Sequence, residues 1–125
     1  MFAELGQKMA VRVVTENWFD LLSKPKEVHY VLDSVGHSLG FLADTGIWSG
    51  PSKYQNLKDI FLRSELCHAK ANFGPGLVID GEDFKACLNS AVAAKYTRPQ
   101  TLAFEDEGDE RRGLEIERSF VKKQV

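Results

Sequence analysis

Four stretches of this 125-residue chain hold residue types that could do chemistry. Gly36-His37-Ser38-Leu39-Gly40 places a serine between two glycines in a G-x-S-x-G pattern. A serine hydroxyl becomes a nucleophile when a sharp strand-to-helix turn lifts it clear and an acid and a histidine follow. HYVLDSV before Ser38 and LGFLA after it supply the text for such a strand and helix, and His68 is the one histidine downstream. Arg63 and His68 pair a fixed cation, suited to a phosphate, with an imidazole suited to moving protons. Glu65 and His68 are spaced as E-x-x-H, which on a helix turns a carboxylate and an imidazole to one side. Asp33 and His37 stand at i, i+4, where a carboxylate can orient an imidazole or simply form a solvated pair.

Three of these stretches resemble signatures of known families. The Gly36–Gly40 string resembles the nucleophile elbow of the serine hydrolases, which implies Ser38 as nucleophile. Arg63-Ser-Glu-Leu-Cys-His68 is R-x4-H and resembles the catalytic signature of HEPN-type ribonucleases. That resemblance implies a small all-helical, usually dimeric domain in which Arg63 binds the scissile phosphate and His68 handles protons. Ser64 stands where that family often carries asparagine, and the motif sits mid-chain rather than late. Glu65-Leu-Cys-His68 is similar to the di-iron spacing of ferritin-like bundles, but the chain has no second E-x-x-H. Cys67, His68, Cys87 and His37 lack the paired C-x2-C or H-x3-H units of zinc sites. No metal and no cofactor is therefore expected.

These residues must be positioned by the elements around them. Pro25 suits a first helical turn, and Val28, Val31, Leu32, Val35, Leu39 and Leu42 then fall on one stripe of period 3.6. The spacing predicts a helix over 25–43 that runs through Ser38 without the break an elbow needs. On that helix Gly36 and Gly40 share a face and would let another backbone approach closely. Tyr30, His37 and Phe41 lie on the face away from the stripe, so Tyr30, Gly36, His37, Gly40 and Phe41 read as an interface. Trp48, in the loop GIWSGP, either plugs the core end or anchors a partner.

The other elements read as mainly helical. Residues 2–22 predict a helix broken near Thr15, with Val11-Arg12-Val13 offering a short strand-like alternation. Ser52 and Gln55 form a capping-box pattern that opens a helix continuing through His68 to Asn72. Asp80 caps a further helix over about 82–96. Beyond Pro99, a hairpin across the acidic EDEGDE turn (105–110) and a terminal helix both fit.

Composition bounds the rest. The net charge of −2 offers no excess of basic residues for a phosphate backbone, so nucleic acid is an unfavoured partner. Two cysteines make no disulfide framework, no 18-residue apolar run exists, and the first residues carry Glu4 rather than a leader pattern. A soluble, cytoplasmic protein is expected. The sequence thus predicts a single domain, mainly α, as a compact bundle of four to five helices with 99–125 the least defined part and a short C-terminal hairpin open (alternatively α+β). Its expected function is a non-enzymatic binding or assembly module, forming a homodimer through helix 25–43 or binding another protein. A HEPN-like ribonuclease using Arg63 and His68 is the alternative, and a serine hydrolase using Ser38 comes third.

Overall fold

The computed structural model describes residues 1–124. In chain order the elements are α1 (Phe2–Lys8), β1 (Val13–Glu16), α2 (Pro25–Val35), a 3-10 turn (Gly36–Ser38), β2 (Leu39–Asp44), α3 (Lys53–Phe61), β3 (Leu66–Ala69), β4 (Phe73–Gly74), β5 (Val78–Ile79), α4 (Gly81–Ala93), β6 (Gln100–Leu102) and α5 (Glu110–Gln124). β1, β2, β3 and β6 lie side by side in that order, and every pairing is parallel. The register sets Val14 beside Gly40, Leu42 beside Leu66, and His68 beside Thr101. β4 and β5 form a separate two-residue antiparallel ribbon.

The predicted helical bundle is therefore overturned: this is an α/β fold whose helices pack on a parallel sheet, not an all-α or segregated α+β protein. The reason is clearest at the 25–43 stripe. α2 begins as expected, with Pro25 in the first turn and the Glu27 carboxylate accepting from the N–H groups of Ser23 and Lys24 at 2.7 and 3.1 Å. It stops at Val35 because Gly36 takes φ +76°, a left-handed conformation that ends helices. Leu39–Asp44 then forms β2, buried along almost its whole length. A strand covered on both faces reads as a continuous apolar run, and such a run also satisfies a helical stripe.

The same ambiguity hid β3. α3 ends at Phe61, and Leu66–Ala69 continues as a strand rather than as the same helix. The Ser52 side chain makes no cap bond. At the N-terminus the helix covers only Phe2–Lys8, and Val13–Glu16 is β1. α4 is capped as its sequence predicts, with Asp80 Oδ1 accepting from the Asp83 N–H at 3.0 Å. The C-terminal hairpin is also overturned: β6 pairs in parallel with β3, and a helix follows the acidic turn.

Each crossover steps one strand further in the same direction. Right-handed connections of that kind place their helices on one face of the sheet. The core forms there, from Val28 and Leu32 of α2, Leu57, Ile60 and Phe61 of α3, and Phe84, Cys87 and Ala91 of α4 against Phe41, Ala43, Cys67 and Ala69 of the strands. Alternation along each strand sends Gly40, Leu42, Asp44, Leu66 and His68 to the opposite face. Among the described residues no helix is long and apolar enough to cross a membrane.

Candidate functional site

At the carboxyl ends of adjacent strands, Glu16, Asp44 and His68 come together on the face that carries no crossover helices. Their ligand atoms all lie within 4.8 Å of one another. His68 Nδ1 is 3.7 Å from Asp44 Oδ2 and 3.9 Å from Glu16 Oε2. Lys70, just past β3, brings Nζ to 3.3 Å from Asp44 Oδ2 and 2.6 Å from Glu105 Oε2. Glu105 follows β6, so four adjacent strand ends contribute to one constellation. In open parallel sheets ligands bind in this place, beyond the carboxyl ends of the strands.

The cluster is held by the backbone beneath it. Asn17, fully buried, donates from Nδ2 to the Asp44 carbonyl at 2.9 Å and accepts from the Asp44 N–H at 2.8 Å. These two hydrogen bonds tie the end of β1 to the end of β2 and so fix Glu16 beside Asp44. The Gly46 N–H donates to Asp44 Oδ1 at 2.7 Å, leaving Oδ2 directed at His68 and Lys70. Thr45 ties β2 to β3: its Oγ1 donates to the Lys70 carbonyl at 2.8 Å and accepts from the Lys70 N–H at 2.9 Å. A side chain at Gly46 would run into the Lys70 stem, so glycine leaves room for the ammonium to reach the cluster.

The electrostatics are those of crowded carboxylates around a cation. Burial, then the neighbouring Asp44 charge, raises the Glu16 carboxyl above its ordinary value. Burial pulls the Lys70 ammonium down, but its hydrogen bond to Glu105 and the charges of Asp44 and Glu105 outweigh this, and the net shift is upward. Two carboxylates and an imidazole, from three elements, form a donor set for a divalent cation such as Mn²⁺, Fe²⁺ or Zn²⁺. Glu105, sharing Lys70 with Asp44, is the adjacent third carboxylate.

The residues singled out by sequence are dispersed. Ser38 lies in the 3-10 turn with a helix before it and a strand after it, the reverse of an elbow, and its Oγ donates to the Val35 carbonyl at 3.4 Å. Arg63 follows α3, where it pairs with Asp33 at 2.7 Å and approaches His29 Nδ1 at 3.4 Å. His68 stands at the other end of β3, in the cluster. Glu65 pairs with Arg12 at the amino ends of the strands, so the Glu65/His68 spacing spans a strand rather than one side of a helix. Tyr30 is exposed on α2, while Phe41 and Trp48 are buried. The Trp48 indole N–H donates to the Leu22 carbonyl at 3.0 Å, which makes it a plug. Gly40 is in β2 with the Glu65 carboxylate over it, Gly36 is the stop of α2, and His37 gives its carbonyl to Arg12 at 2.7 Å.

Of the cluster, sequence reasoning found only His68. Glu16, Asp44, Lys70 and Glu105 share one signal: each lies within about a residue of the end of a short apolar or β-branched stretch, in VVTE, LGFLAD, LCHAK and TLAFE. That pattern acquires meaning only once the stretches are read as parallel strands. The sequence matches no protein-family model, and no curated protein sequence matches it.

Proposed function

We propose that this protein binds one divalent cation through Glu16, Asp44 and His68, and uses it as a Lewis acid on a small oxygen-bearing substrate. The observation that carries this reading is the convergence of three ligand atoms within 4.8 Å from three neighbouring strand ends. Two further features support it. Lys70 already places a positive charge among these carboxylates, which marks the spot as one where cationic charge is stabilised. An open groove lined by Thr15, Glu16, Trp18, Leu21, Leu22 and Val31 adjoins the cluster and gives a substrate an apolar wall beside the metal ligands.

In this reading the cation polarises a carbonyl or hydroxyl oxygen, or activates a water. Lys70, between Asp44 and Glu105, stabilises the negative charge that develops on the substrate oxygen. The test is calorimetric titration of the metal-stripped protein with Mn²⁺, Zn²⁺ and Mg²⁺. The expected result is one site per chain, weakened tenfold or more by Asp44→Asn and by His68→Ala. No saturable binding of Mn²⁺ or Zn²⁺ up to millimolar concentration overturns the reading.

A further inference from the structure

One carboxyl group carries much of the attachment of α5. Its buried residues are Gly113 and Glu117, neither of them a large hydrophobe. Phe120 and Val121 are partly buried against the core, with the Phe120 ring 5.6 Å from that of Phe84 and against Gly81. The ion pairs of α5 stay inside the helix and join Arg111 and Arg112 to Glu115. Beyond its Asp109 cap, and among the described residues, α5 has one hydrogen bond to the rest of the chain. In it the Ala71 N–H donates to Glu117 Oε1 at 2.9 Å.

The other oxygen, Glu117 Oε2, is buried with no hydrogen-bond partner. A neutral carboxyl tolerates such a place far better than a carboxylate, whose charge loses its solvation. The charges that bear on Glu117 come from two segments. Asp106, after β6, disfavours ionisation, and Lys70, after β3, favours it. The Lys70 ammonium is already committed to Asp44 and Glu105. α4 meets α5 through Phe84 and Gly81, which carry no charge. One turn either side of Glu117, its own helix presents Gly113, Leu114, Phe120 and Val121, also uncharged. Burial is thus the main cause that raises the carboxyl to about 7.

What α5 covers lies beside the cluster. Ala71 follows Lys70 directly. Gly113 packs so closely on the Phe104 ring that a Cβ there would overlap it, and Phe104 precedes Glu105. Phe104 in turn meets Phe73 edge to face, with ring centres 5.2 Å apart.

We propose that Glu117 is a proton-controlled latch on α5: with the carboxyl neutral the helix stays docked over Phe104 and the 70–73 segment, and on losing the proton it lifts from them while the sheet stays folded. The latch thereby sets how firmly the Lys70–Glu105 pair is held. It requires no cation, so it stands apart from the metal reading.

The experiment is amide hydrogen exchange of the full chain at about pH 5 and about pH 7.5, read as protection factors, which remove the intrinsic pH dependence of exchange. A carboxyl at about 7 when docked and near 4.5 when released makes the opening of α5 on the order of 50-fold more favourable at the higher pH. Protection over residues 114–122 and at Ala71 is therefore expected to fall by that factor, while α3 and β2 keep theirs. In Glu117→Gln, which keeps an acceptor for Ala71 and cannot ionise, the fall should vanish. The carbon-13 shift of the Glu117 carboxyl, followed in the native protein, should titrate over the same range, and this holds the test together even if the variant fails to fold. Protection of α5 that is unchanged between the two pH values overturns the latch. Equal loss in α5 and α3 also overturns it, because the proton then acts on global unfolding alone. A fall that persists in folded Glu117→Gln assigns the effect to another group and overturns it as well.

Discussion

Asn17 and Asp44 are joined by two hydrogen bonds, side-chain amide to backbone, in a position where neither residue sees solvent. The pair makes the end of β1 and the end of β2 one unit, and the Glu16–Asp44–His68 cluster inherits its geometry from that unit. Replacing Asn17 by alanine strands a buried N–H and a buried C=O of Asp44. Each orphaned group costs about 1–3 kcal/mol. Asn17→Ala is therefore expected to lower unfolding stability by about 2–4 kcal/mol in urea titration. It should also weaken divalent-cation binding, although Asn17 is not a ligand. An unchanged affinity in the folded variant would show that Glu16 and Asp44 are held together by other means.

The two cysteines give a simple check on the core. Cys67 lies in β3 and Cys87 in α4, both buried among apolar side chains. Burial pushes both thiols up to about 12. Thiolate is the reactive form, so neither should react with a disulfide reagent at pH 8 in the native protein, and both should react after denaturation. Rapid native labelling of either would place it outside the α4–β3 core.

Glu117 links stability to pH. It is fully buried on α5; Oε1 accepts from the Ala71 N–H at 2.9 Å, and Oε2 has no hydrogen-bond partner. Burial is the main cause that raises its carboxyl to about 7, partly offset by the Ala71 bond. The folded state thus binds this proton more tightly than the unfolded chain, whose carboxyl keeps its ordinary value near 4.5. The contribution is full below about pH 4.5 and is lost as pH rises through about 7, by roughly 2–4 kcal/mol. Denaturant midpoints measured across pH 5–8 should show this fall in the native protein and much less of it in Glu117→Gln, which keeps the acceptor without the ionisation.

Glycine 36 and glycine 40 separate what the sequence conveys from what it hides. Their i, i+4 spacing reads as a close-approach face on one helix, yet they belong to different elements. Gly36 sits at φ +76° with open space around it, so Gly36→Ala is expected to cost about 1–2 kcal/mol through backbone strain alone. At Gly40 an added Cβ would lie 2.8 Å from Glu65 Oε2, so Gly40→Ala should instead displace Glu65 from Arg12. Thermal melts of the two variants at low and high salt distinguish them, because only the second acts through an ion pair. The helix α2 was legible because Pro25, Val28 and Leu32 repeat locally. β2 and β3 were not, because LGFLAD and LCHA satisfy either period over so few residues. The cluster was legible only in His68, since Glu16, Asp44 and His68 stand 28 and 24 residues apart in the sequence and meet through strand pairing alone.

Lys70 is where the electrostatics of the cluster can be read most directly. Its ammonium lies between Asp44 and Glu105, and its own exposure is only 6%. Lys70→Met keeps the stem that packs against Gly46 and removes the charge. Without added cation the variant leaves Asp44 buried and short of a counter-charge, at an expected cost of about 3 kcal/mol. A divalent cation bound by Glu16, Asp44 and His68 would restore that charge. The rise in melting temperature on adding Mn²⁺ or Zn²⁺ should therefore be larger in Lys70→Met than in the native protein, and cation affinity should increase, because the competing ammonium is gone. A variant that is destabilised but gains nothing from either metal would mean that Lys70 alone is the cation this cluster was built to hold.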